Sequence, residues 1–146
     1  MGPPTTEPIG LQLIRTAKLL SRAFDEALTE AGGTLPSWQI LVAVKGQQHG
    51  AQRELAAAVG VEGPTLTHHL NRLERDGWVR RSRDPANRRV HRVVLTEAGE
   101  AAFFAMLGAV RTFDERLRGA LTERQLAELE RCLGRLRNAV DTVTEP

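Results

Sequence analysis

The stretch from Gln52 to Leu73 constrains the fold of this 146-residue chain more than any other. Ala56 is small, Gly60 follows four residues on, and Leu66 six beyond that. Two short helices that cross near a right angle need a small residue at their contact and a glycine in the turn. Leu55, Val59, Val61 and Leu70 supply apolar side chains for a small core around that crossing. This spacing predicts a helix-turn-helix. Two β-rich, partly alternating segments follow, Trp78–Arg83 and Val90–Leu95, with the turn-forming Asp84-Pro-Ala-Asn87 between them. A basic hairpin directly after a helix-turn-helix describes a winged helix-turn-helix.

The flanks read as helices. From Ile9 to about Ala31, apolar residues at 13, 17, 20, 24 and 28 advance in steps of three and four until Gly32-Gly33. Pro36 sits where a second helix begins, and Gly46 to Gly50 closes it. Thr96 is placed to cap a fifth helix, striped by Phe103, Leu107, Val110, Phe113 and Leu117. Thr122-Glu-Arg-Gln125 has the form of a capping box and opens a last helix carrying Leu126, Leu129, Leu133, Leu136, Val140 and Val143. The expected class is mainly α with a small antiparallel β-hairpin. The expected organisation is a disordered tail over 1–8, dimerisation helices over 9–35 and 96–146, and a winged lobe over 36–95, in one compact domain. A chain of this size has too little of its own surface to cover every apolar stripe, and a second copy would cover them. Leu13, Ala17, Leu20, Leu126, Leu129, Leu133, Leu136 and Val140 are the residues expected at that interface.

Charge points to a partner. The chain carries a formal net charge of +2. Residues 71–92 nevertheless hold eight arginines against three acids. Such a block is an electrostatic footprint for phosphate. If the helix from about Gly63 to Asp76 enters a major groove, its N-terminal residues reach base edges: Gly63, Pro64, Thr65, Thr67 and His68. Arg72 lies one turn after His68. Gln52 and Arg53, at the start of the preceding helix, suit a phosphate clamp. Arg88 and Arg89 at the wing tip suit a minor groove. Arg80, Arg81 and Arg83 on the strand are further surface candidates. The competing reading is a winged-helix protein-interaction module without specific DNA binding, which needs neither wing arginines nor an exposed Thr and His.

The run Asn87-Arg-Arg89-Val-His-Arg-Val93-Val-Leu95-Thr96-Glu-Ala-Gly99 resembles the wing signature of the MarR (multiple antibiotic resistance regulator) family. Leu73-Glu-Arg-Asp-Gly77-Trp-Val79 is similar to that family's ending of the recognition helix. The resemblance implies a homodimeric winged-helix transcription regulator on a pseudo-palindromic operator, often a repressor relieved by a small ligand. It maps the family's wing arginine onto Arg89. Two positions depart from the pattern. Asn87 stands where an acid is usual, with Asp84 nearby as a substitute, and His69 stands where an apolar residue is usual. The resemblance also implies an effector pocket where the DNA-binding lobe meets the dimer helices, often for aromatic acids. Trp38 as an aromatic wall, Arg15 as an anion partner and His69 are the candidates; the competing reading places Trp38 in the core and Arg15 on the surface.

Other chemistries find little support. The histidines at 49, 68, 69 and 91 show no His-x3-His or His-x2-Cys spacing within a helix, so no metal site is expected. Cys132 is the only cysteine, which excludes an intrachain disulfide and fits a reducing compartment. Its place beside Leu129 and Leu133 predicts a packed side chain rather than a sensor. No apolar run approaches a membrane span, and the start lacks the basic end and apolar stretch of a signal peptide. A cytoplasmic protein without a cofactor is expected. No nucleophile–base pair or phosphate loop suggests an enzyme.

Overall fold

The computed structural model describes residues 2, 5–46 and 50–141. Met1, Pro3, Pro4, His49 and Val143 lie outside the described residues. The elements run α1 (Ile9–Glu30), α2 (Leu35–Gly46), β1 (Gly50–Ala51), α3 (Gln52–Val59), α4 (Gly63–Arg75), β2 (Val79–Arg83), β3 (His91–Leu95), α5 (Glu97–Gly119) and α6 (Glu123–Asp141). The expected tail over 1–8 ends in contact with α1. Glu7 pairs with Arg15, and its carbonyl accepts a hydrogen bond from Gln12.

The helix-turn-helix forms as its spacing predicts. Leu55, Leu66 and Leu70 are fully buried, and Ala56, Val59 and Val61 pack against them. Leu73 joins them from the last turn of α4, so Leu66, Leu70 and Leu73 form one apolar stripe at helical spacing. Ile40, Leu41 and Val44 of α2, Val79 of β2 and Val93 of β3 close the core, with Leu28 and Met106. Gly60 and Gly77 end α3 and α4 at φ +74° and +75°. After each, the next residue's N–H reaches back: Val61 to the Ala56 carbonyl, Trp78 to that of Leu73. This closes the helix in a left-handed turn that only glycine enters cheaply.

The wing differs from the expected hairpin by one strand. β3 pairs antiparallel with β2 and also with β1, giving the order β1-β3-β2. Arg81 lies opposite Val93, and Ala51 opposite Arg92. A two-residue strand shows no alternation, so β1 leaves no periodic trace in the sequence.

Caps fix the helix starts. Thr122 and Gln125 bond reciprocally, as the capping box predicts. Thr34 and Ser37 form a similar pair at α2, and Asp25 of α1 accepts the Leu35 N–H at 2.8 Å. Thr96 Oγ1 accepts the Gly99 N–H at 3.0 Å and donates to the Gly77 carbonyl.

Where one compact domain was expected, the chain forms two units, residues 1–110 and 111–146. The physical reason is visible in α6, which buries no residue within the chain. Leu129, Leu133, Leu136 and Val140 are exposed, and Leu126 is half-buried. In α1, Ala17 and Leu20 are exposed and Leu13 is half-buried. Cys132 is exposed rather than packed, with its Sγ 3.8 Å from a Glu128 carboxylate oxygen. A helix without a covered face has no interior in which to place it.

Candidate nucleic-acid interface

Three segments meet at an open groove of about 1120 Å3: the start of α3, the start of α4 and the wing. It brings together Gln52, Arg53, Gly63, Thr67 and Arg89 from the expected set. Arg81 and His91 also line it. Glu62 enters α4 in an extended conformation without a side-chain cap, and Pro64 holds the first turn. Pro's fixed φ and missing N–H suit that position. Thr65, His68 and Arg88 are exposed outside the groove lining.

Two of the expected contacts have other duties. Gln52 Nε2 donates to Thr67 Oγ1 at 3.0 Å, and that hydroxyl donates to the Gly63 carbonyl at 3.0 Å. One N–H of the Gln52 amide therefore ties α3 to α4. The Thr67 proton is engaged inside its own helix.

Strand arginines divide in the same way. Arg81 Nε donates to Glu74 at 2.8 Å, and its Nη2 donates to Asn71 Oδ1. This pair of bonds fastens β2 to the exposed side of α4. The same contact holds the Glu74 carboxyl below its usual range, mainly through the hydrogen bond from Arg81. Asn71 lies outside the expected set. Its signal is helical: Pro64, His68, Asn71 and Arg75 advance by four, three and four, opposite the buried stripe.

The wing loop is built on Asp84. Its Oδ1 accepts the Ala86 N–H at 2.8 Å, and its Oδ2 accepts from Arg92 Nε and Nη2 at 2.9 and 2.7 Å. Asn87 Oδ1 accepts the Arg89 N–H at 3.2 Å. The Ala86 N–H first, and Arg92 second, hold the Asp84 carboxyl below the ordinary carboxylate range. A carboxyl lowered in the folded state contributes stability at neutral pH, and that contribution is lost as the pH falls through the lowered value.

The effector candidates are separated. Trp38 stacks on Phe103, with ring centroids 5.3 Å apart and planes 15° apart, the packed placement of its two readings. Arg15 is exposed on α1 and paired with Glu7. His69 does line a hollow of about 300 Å3, between the α1–α2 turn and α4, together with Asp25, Arg72, Asp76 and Trp78. Neither Trp38 nor Arg15 lines that hollow. Burial lowers the His69 pKa, aided by His68 and Arg72, so the ring is neutral at pH 7.

A helix with an exposed leading turn, set beside an arginine-rich ribbon, defines the winged helix-turn-helix class of transcriptional regulators. Residues 34–91 match the MarR family model. The HTH-type transcriptional regulator YwoH of Bacillus subtilis is 30% identical over 106 residues, 73% of this chain and 77% of that one. MosR of M. tuberculosis, solved in complex with DNA, is similar at a TM-score of 0.78 and 27% identity, covering 95% of this chain and 100% of the other. A cysteine-to-serine mutant of MarR from E. coli, complexed with operator DNA, gives a TM-score of 0.82 at 26% identity, covering 88% and 93%. The chain belongs to the MarR family and is a transcriptional regulator of that family.

Proposed function

We propose that the chain binds double-stranded DNA sequence-specifically, as a cytoplasmic homodimeric repressor on a pseudo-palindromic operator, and that a small ligand relieves it. The observation that carries this reading is the exposed leading face of α4, Thr65 and His68, beside a groove that Arg53 and Arg89 line. Arginine on a ribbon suits phosphate or a narrow minor groove, while short polar side chains on a helix suit base edges. The DNA-bound relatives support the same partner. Among the described residues, no helix is long and apolar enough to cross a membrane.

The exposed leucines of α1 and α6 support homodimerisation. Leu19 is 60% exposed and Val140 66%. Apolar surface of this extent calls for a partner, and a second copy presents matching stripes.

The hollow beside α4 is the proposed effector site. Arg72 offers a guanidinium to a carboxylate, Trp78 offers a ring face, and His69 offers a neutral imidazole. An aromatic acid of one ring fits that set. Both Arg72 and His69 project from the recognition helix, so a ligand there acts on the element that reads DNA. Its effect is bounded by its differential affinity for the DNA-competent and DNA-incompetent arrangements.

His68 tests the base-reading half of this account. Replacing it with Ala should relax selectivity at one operator position, by about 1–3 kcal/mol if it makes a good base contact. The check is selection from a randomised duplex by both proteins. Identical base preferences at every position would remove His68 from the recognition surface.

A further inference from the structure

Asn87 occupies the place of an acid in the family's wing pattern, yet the wing is organised around a carboxylate three residues earlier. Asp84 is nearly buried, and its side chain is 12% exposed. It receives the Ala86 N–H on one oxygen and the forked guanidinium of Arg92 on the other. Arg92 belongs to β3, opposite Ser82 of β2 and Ala51 of β1. The ion pair therefore joins the first residue of the loop to the middle of the sheet. Backbone bonds complete the loop: Asp84 N–H to the Val90 carbonyl, Asn87 N–H to Asp84, and Val90 N–H to Asn87. Arg88 and Arg89 sit at the tip of this arrangement.

We propose that Asp84 and Arg92 are positioning residues for DNA recognition, holding the wing so that the Arg88 and Arg89 guanidiniums are presented to the duplex before it arrives. The proposal rests on the reading of the wing as a DNA contact. Its physical basis is preorganisation: a loop already ordered in the free protein loses less freedom on binding. An Asn at 87 accepts hydrogen bonds but carries no charge to hold an arginine. Asp84 supplies that charge, and its lowered pKa keeps it ionised at neutral pH.

The test is a double-mutant cycle read on DNA affinity. Wild type, Asp84→Asn, Arg92→Gln and the double variant are titrated against a duplex selected by the wild type, beside the Arg88→Ala/Arg89→Ala variant. Asp84→Asn removes the charge but keeps an acceptor for Ala86. Each single change is expected to weaken binding about tenfold, and the double change no more than either alone. The salt dependence should flatten toward that of the wing-arginine variant, a readout that loss of fold stability does not produce. Should Asp84→Asn not fold, Arg92→Gln carries the same expectation. Additive losses overturn the proposal. So does unchanged affinity in the charge variants while the wing-arginine variant binds weakly, and the DNA reading then stands. If the wing-arginine variant also binds like wild type, the wing reading fails and takes the proposal with it.

Discussion

Gly99→Ala is expected to lower the midpoint of thermal unfolding by about 10 °C, a loss of about 3 kcal/mol. A Cβ at this position would lie 1.9 Å from the Trp78 carbonyl oxygen and 2.9 Å from its carbon. These are backbone atoms, so no rotamer change relieves the clash. The same carbonyl accepts the Thr96 N–H at 3.0 Å, so moving it also disturbs the capped start of α5. Gly108 provides the internal control. Its Cβ would meet nothing within 4 Å. Alanine there should leave stability unchanged or raise it, because glycine inside a helix is about 1 kcal/mol less favourable than alanine. Calorimetry on the two variants separates the cases. Equal midpoints would show that α5 does not start against the Trp78 carbonyl.

The second large effect belongs to the wing. Arg88→Ala with Arg89→Ala should weaken duplex binding on the order of 100-fold at moderate salt, if each guanidinium makes one good contact. Each lost phosphate contact should also reduce the slope of log affinity against log salt by about 0.9. The fold should be untouched, because both residues are exposed at the tip of the loop. Fluorescence anisotropy across a salt series measures both quantities. Affinity and slope equal to wild type would place DNA elsewhere on the molecule.

What the sequence makes legible is what lies close together along it. The Ala56–Gly60–Leu66 spacing, the Thr122–Gln125 cap and the Thr96 cap are each set within a few residues, and each forms as expected. The C-terminal end of α3 follows from Gly60. What remained hidden depends on register between distant segments. Arg81 reads as a free surface charge until the turn at Gly77 brings it beside Glu74 and Asn71. Trp38 reads as a core residue or a pocket wall, and only its stacking on Phe103, far along the chain, shows what it packs against. Asp25 gives no sign, ten residues away, that it closes the start of α2. Cys132 shows a further kind of miss. A helical stripe marks a face that wants covering, and does not say whether the chain's own core or another molecule covers it.

The most direct test of the central claim is selection of duplex DNA by the purified chain, followed by the stoichiometry of the selected complex. The account predicts a two-fold symmetric site with half-site centres about 10 bp apart, one helical turn, bound by two protomers and weakened by salt. Failure to retain any duplex at about 100 mM salt, where non-specific electrostatic binding fades, would contradict it. Enrichment of sequences without symmetry would contradict it equally.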